Sequence, residues 1–407
     1  MSNVTRTDVI VVGGGIMGAA TALFLRKRGI AVTLIERGLI GQQASGTNFG
    51  NVRRQGRYLP QLPLANRSRQ IWGRLHELLG EDVEFLPSGH LRLAYNDEMT
   101  AKIEGYAGDA RHYGLDLEII SGNALRDRFP FVGPEVRAGS YSPHDGHANP
   151  RLAAPAFGRA AKRSGAAVFE NTEIVTVEKA GGDFRVEAAD GRVFRAPQLL
   201  ISAGAWGNRL SVQFGEPVPL TAHGPQMAVT EPLPYAILPV IGVASGIPHE
   251  VVYLRQVKRG NIVFGGGGRG PASADTWRAN VLPENTLAQF TQISRLVPAL
   301  NRLNIIRVWS GVESYLPDDI PIMGPSAKVP GLHYAFGFCG HGFQLGPGVG
   351  DVMAELIATG KPRRPSTPLR SRASETQNTS PSPLDPPGAR YARWPRPDSR
   401  FRSAHFP

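Results

Sequence analysis

The chain has 407 residues, 45 Lys+Arg against 34 Asp+Glu, one Cys and 41% hydrophobic residues. That length predicts two or three domains and a core large enough to need no disulfide or zinc staple. One Cys excludes an intramolecular disulfide and any multi-cysteine metal or iron–sulfur site, and no apolar run approaches the ~20 residues of a membrane helix.

Residues 1–7 lead straight into a strand pattern, without the charged and apolar regions of a secretory leader. The expected setting is cytoplasmic, with peripheral membrane association left open. Asp8-Val9-Ile10-Val11-Val12 is a continuous apolar run, as for a strand covered on both faces. Residues 16–28 hold helix formers with an apolar face at Met17, Ala20, Leu23 and Phe24, and Gly29 stops them. Residues 31–36 read as a second strand, completing a βαβ unit.

Gly13, Gly15 and Gly18 stand between that strand and helix as G-x-G-x-x-G. Gly13 permits the tight turn, Gly15 lets backbone approach a pyrophosphate, and Gly18 lets the helix close on the strand. Ile16 and Met17 open a helix whose free N–H groups and dipole favour an anion. Glu36, at the end of the second strand, can accept both ribose hydroxyls and disfavours a 2′-phosphate. A glycine turn without a ligand is the bland alternative.

FAD and NAD share this ADP half, and the next segment separates them. Arg37-Gly38 leads to Gly41-Gln42-Gln43-Ala44-Ser45-Gly46-Thr47-Asn48, a small-residue loop where an NAD enzyme usually continues to a helix and third strand. Ala44, Ser45 and Gly46 leave room for a long cofactor, and Ser45 and Thr47 offer hydroxyls; an ordinary polar loop is the alternative. Arg53, Arg54 and Arg57 follow as a basic cluster suited to a carboxylate, or to a solvated surface.

Farther along, His144, Asp145 and His147 have a metal-like look, but a surface turn is the simpler reading and no metal is expected. Residues 173–177, 184–188 and 198–202 read as strands, and 251–254 with 261–264 as a hairpin. His223 and Tyr253 are candidates for a cavity wall or for plain packing. A glycine turn at 340–342 precedes a helix expected from about 347 to 358, closed by Gly360. The tail, 361–407, holds ten Lys/Arg, three acids and ten of the 34 prolines. Disorder from about residue 363 is expected, with no nucleic-acid partner.

Several separated segments resemble the D-amino-acid oxidase superfamily of flavoproteins, nearest to sarcosine oxidases (monomeric and β subunit), glycine oxidase and related amino-acid dehydrogenases. They are residues 9–36, 46–53 with the helix start at Pro63, 199–206, 226–234, 315–324 and 340–343. The resemblance implies an α/β fold: a Rossmann-like FAD-binding domain (1–85, 145–215 and 311–362) interleaved with an antiparallel-sheet substrate domain (86–144 and 216–310). It further implies that Gly13, Gly15, Ile16, Met17, Gly18, Glu36, Arg37, Ala44, Ser45 and Gly46 hold the ADP and pyrophosphate. Val175 would meet the adenine through its backbone, Gly204 and Trp206 the ribityl chain, and Gly311, Gly340, His341, Gly342, Phe343 and Gln344 the isoalloxazine. Backbone N–H groups of residues 340–344 could stabilise negative charge on a reduced flavin.

The implied chemistry is oxidation of the C–N bond of an amino acid or N-substituted amino acid to an imine. Arg53, Arg57, His341 and Gln344 are the residues expected beside the substrate. Gln344 stands where sarcosine oxidases carry a carboxylate-binding Lys, which disfavours sarcosine itself. Ile262 is taken to stand where oxidases of the group place a Lys that promotes reaction with oxygen, which favours a dehydrogenase with a separate electron acceptor over an oxidase using O2. No Cys falls near Gly311-Val312, the covalent-flavin position of monomeric sarcosine oxidases, so a non-covalent FAD is expected, and Cys339 is read as a packing residue. Oxidation of a 2-hydroxy acid, and a flavin-bearing subunit of a hetero-oligomer, stay open as alternatives.

Overall fold

The computed structural model describes residues 4–243 and 245–361; the expected tail, with its disorder and its basic charge, lies outside them. Val9–Val12 and Val32–Ile35 are buried at every position, as their apolar runs require. They lie inside a six-stranded sheet ordered Ile322–Pro325, Leu332–Phe336, Gln198–Ile201, Val9–Val12, Val32–Ile35, Ala167–Phe169. Only the first pair is antiparallel.

Both faces of this sheet are covered. On one lie the opening helix Ile16–Arg26, the helix Pro150–Arg163 and the closing helix Gly342–Thr359. On the other, Ile10, Leu199 and Phe336 meet Val177, Phe184 and Phe194 of a four-stranded sheet. The opening and closing helices approach closely because the closing one presents glycine. A Cβ on Gly350 would stand 2.4 Å from Ala20 Cβ, and one on Gly346 2.7 Å from Ile16 Cγ1.

A ten-stranded sheet is built mainly from segments between 90 and 315. The expected hairpin is present as Val252–Gln256 and Asn261–Ser273, antiparallel. One pairing in the sheet is parallel, Val240–Val243 on His90–Ala94. Leu91, Leu93, Ile241, Leu254, Ile262 and Phe264 form its core. On its other side Met227, Val240 and Val263 pack with Phe49, a residue of the N-terminal loop. Glu313–Tyr315 continues the antiparallel register with Thr221 to His223, so this sheet extends past residue 310, the limit expected from sequence.

Two local expectations shift. Residues 44–47 form one helical turn rather than an open loop. The closing helix starts at Gly342, five residues before the expected Pro347. Pro347 is tolerated because helix Leu62–Trp72 supplies partners there: Ser68 Oγ and Trp72 Nε1 donate to Gln344 O, and Gly348 N–H donates to Ser68 Oγ. Gly360 closes the helix at φ +72°.

Candidate functional site

The glycine turn is shaped by its neighbours. A Cβ on Gly18 would lie 1.9 Å from Gly13 O, and one on Gly13, at φ +109°, 2.5 Å from Ser202 O. Glu36 ties the turn to the second strand, accepting from Gly14 N–H at 2.6 Å and Gly38 N–H at 2.8 Å. Ser45 Oγ accepts from Ile16 N–H at 2.9 Å. The first bond within the opening helix is Ala19 N–H to Gly15 O, so the first-turn amides precede its ladder. Neither the opening nor the closing helix has a side-chain cap or an acid in its first turn. Both N-termini are therefore suited to an anion.

These two helix starts open onto one cavity of about 440 Å³. It runs from Gly13, Gly15 and Glu36, past Ser45 and Gly204, to Arg57, Tyr253, Gly340 and His341. A trough joining the dinucleotide turn to the distant closing turn has the form a long dinucleotide requires. Buried polar atoms without partners line it: Asn51 Oδ1, His341 Nδ1 and Gln344 Oε1. The residues present therefore fit FAD: glycine amides for its phosphates, Glu36 for its ribose, and the turn at 340–344 for its ring.

The far end of the cavity is cationic. Asp145, fully buried, accepts from Arg54 N–H, Arg54 Nε and Gln55 N–H, which fixes the 53–57 loop and removes Arg54 from the free cluster. Arg53 and Arg57 line the cavity. Among the described residues their side chains donate to backbone carbonyls: Arg53 to Gln55 O, Arg57 to Arg53 O and His341 O. Burial, with Arg53 beside it, pushes Arg57 down to about 9, still charged at neutral pH. Burial, and then the Arg53 and Arg57 cations, hold His341 well below the usual imidazole range. Glu313 is raised by burial, against the opposing pull of Gly340 N–H and Arg269.

Most of the residues expected from sequence line this cavity: Gly13, Gly15, Ile16, Met17, Glu36, Arg37, Ala44, Ser45, Arg53, Arg57, Gly204, Trp206, Gly340, His341, Gly342, Phe343 and Gln344. Four others do not line it. Gly18 is the helix–strand contact, a Cβ on Gly46 would meet Gly41 O at 2.3 Å, and one on Gly311 would meet Thr47 Oγ1 at 2.0 Å. The Val175 side chain faces out, 49% exposed, while its backbone, the part expected at the adenine, directly follows Thr172, Glu173 and Ile174, which line that end. Gln344 donates to Ala65 O and so braces helix 62–72 as well as lining the cavity. Ile262 lies in the opposite core, whereas Val263 is on the side of Phe49 and Met227, both cavity-lining.

His147 is buried, with Arg255 Nη1 on its Nδ1 at 3.2 Å, and no group of three metal-ligating side chains occurs among the described residues. Cys339 packs in the core with its thiol pushed up to about 12 by burial. Sequence reasoning missed Glu313, Tyr315, Arg209 and Arg269, which also line the cavity. The available signal was Glu313 itself, an acid between Gly311-Val312 and Tyr315-Leu316.

The chain is similar to known proteins along most of its length. A glycine oxidase of Geobacillus kaustophilus is 27% identical over 361 residues, covering 86% of this chain and 93% of its own. A sarcosine oxidase subunit beta of Rhizobium meliloti is 27% identical over 371 residues, covering 89% and 87%. The crystal structure of L-proline dehydrogenase from P. horikoshii superposes with a TM-score of 0.81 at 28% identity, covering 89% of this chain and 96% of that one. The DAO family, FAD dependent oxidoreductase, matches residues 8–356, and the chain belongs to it.

Proposed function

We propose that this enzyme oxidises the C–N bond of an amino acid or N-substituted amino acid to an imine, as a dehydrogenase rather than an oxidase. Bound FAD supplies the two-electron acceptor. The observation that carries the reading is Arg57. It is 4% exposed and lines the cavity, and among the described residues its guanidinium meets backbone carbonyls rather than a carboxylate. A buried cation without a counter-anion is costly, and a substrate carboxylate relieves that cost. Arg53 beside it adds a second cation, the 53–57 loop is held by Asp145, and the walls from Phe49, Met227 and Tyr253 limit water.

No lysine lines the cavity among the described residues, which supports the dehydrogenase reading. The six-stranded sheet is read as the cofactor unit and the ten-stranded one as the substrate unit. Partner subunits are a second reading, favoured by the relative named as a subunit. No helix among the described residues is long and apolar enough to cross a membrane; a cytoplasmic location is proposed and is checked by cell fractionation. The main test is anaerobic: purified protein is loaded with FAD, mixed with amino acids, N-alkyl amino acids and 2-hydroxy acids, and followed at the flavin bands. Bleaching by amines, with slow recovery on admitting oxygen, is expected. Bleaching by hydroxy acids alone refutes the amine reading, and fast recovery in oxygen refutes the dehydrogenase reading.

A further inference from the structure

The cavity wall carries few acids. Glu36 and Glu173 belong to the dinucleotide end, and Glu313 is the third lining carboxylate. Glu313 stands at the other end, on a strand of the ten-stranded sheet beside Tyr315. Its position is built. Gly340 N–H donates to Oε1 at 2.8 Å, and the Tyr315 hydroxyl donates to Oε2 at 3.3 Å. Arg269 lies over the Tyr315 ring at 3.7 Å rather than in an ion pair with the acid. His223, opposite Glu313 in the register, stacks edge-on against the same ring. Tyr253 completes the surroundings.

The closing turn links this acid to the guanidinium pair. Gly340 holds Glu313 through its N–H, and the next residue, His341, holds Arg57 through its carbonyl. Two consecutive residues span at most ~7 Å, so a carboxylate and a guanidinium face one cavity from neighbouring anchor points. That is the complement of a zwitterion, whose carboxylate and amine share one carbon.

We propose that Glu313 is the specificity-determining residue that meets the substrate's ammonium group while Arg57 and Arg53 meet its carboxylate. The proposal rests on the amino-acid reading above and extends it. The site reads the amine as a cation, so amino acids and secondary amino acids are accepted and their hydroxy or ether counterparts are rejected. An ether oxygen or hydroxyl placed before a half-buried carboxylate offers it no positive charge, and an ether offers no proton at all. The raised pKa of Glu313 agrees with a carboxylate awaiting a cation.

The test compares proline with tetrahydrofuran-2-carboxylate, and glycine with glycolate, as ligands of the FAD-loaded protein under anaerobic conditions. Binding is read from perturbation or bleaching of the flavin bands. In the wild type each amine binds at least tenfold tighter than its oxygen counterpart. Glu313→Gln keeps an acceptor for Gly340 N–H. Its expected result is a loss of that discrimination to within about threefold, through weaker amine binding, with oxygen-ligand affinity and FAD content unchanged. Glu313→Asp restores part of the preference, which a purely structural role would not produce. Equal weakening of both ligand classes, loss of FAD, or undiminished discrimination in Glu313→Gln overturns the proposal. A wild type that prefers the oxygen ligands overturns the amino-acid reading with it, whereas amine binding that is indifferent to Glu313 overturns only this inference.

Discussion

Arg57 shows how a single residue sets up chemistry by being poorly satisfied. Its fork is spent on two carbonyls, its backbone N–H on the Tyr106 hydroxyl, and its charge on no ion pair among the described residues. Losing one charge-assisted hydrogen bond costs about 1.5–3 kcal/mol. Arg57→Ala should therefore raise the substrate concentration for half-maximal flavin reduction by about 10–100-fold. FAD content should stay unchanged, and Arg57→Lys should recover only part, lacking the fork; titration of bleaching against substrate checks this. His147 makes a different point. Burial, then Arg255, push its imidazole down to about 3, so the folded protein keeps it neutral while the unfolded chain protonates it near 6.5. Stability is lost as pH falls below that unfolded value, down towards the folded one, at up to ~1.36 kcal/mol per pH unit. Urea denaturation at pH 6.5 and 5 should show roughly 2 kcal/mol of that loss from this group, and His147→Gln should flatten the slope by that amount.

At the scale of elements, the contact between the opening and closing helices decides the site's shape. Helix propensity alone predicts that Gly350→Ala gains about 1 kcal/mol. The 2.4 Å approach of its Cβ to Ala20 Cβ predicts the reverse, an overpacking loss of about 1–3 kcal/mol. Thermal denaturation decides the sign, and FAD affinity should fall with stability because both helix starts line the cavity. The strand–turn–helix at residues 9–36 was legible because glycine spacing, an apolar run and an acid at the strand end are all local signals. The closing helix was legible at its end, where Gly360 stands, and misplaced at its start, because Pro347 is excused only by Ser68 and Trp72, nearly 280 positions away in sequence. Glu313 was overlooked because its value lies in two partners, Gly340 and Tyr315, that only the fold brings to it.

At the scale of the whole molecule, the two large sheets meet over the Glu36 end of the cavity as well as at the Arg57 end. Arg37 lies between the Trp206 and Trp277 rings, at 4.3 and 3.6 Å, and Trp206 Nε1 donates to Ala274 O. The 274–277 turn thus joins the ten-stranded sheet to residues that line the cavity beside Glu36. A cation–π contact at such a half-exposed place contributes about 0.5–1 kcal/mol. Trp277→Ala should speed FAD release by about two- to fivefold, read as the return of free-flavin fluorescence after dilution, with little change in substrate affinity. The path of the chain carries a further consequence. It visits the six-stranded sheet, then the ten-stranded, the six-stranded, the ten-stranded and the six-stranded again. A protease nick after the exposed Gly215 would leave two fragments, each contributing strands to both sheets. Neither half could peel away alone, so the severed molecule would remain laced together around its flavin until denaturant undid both weaves at once.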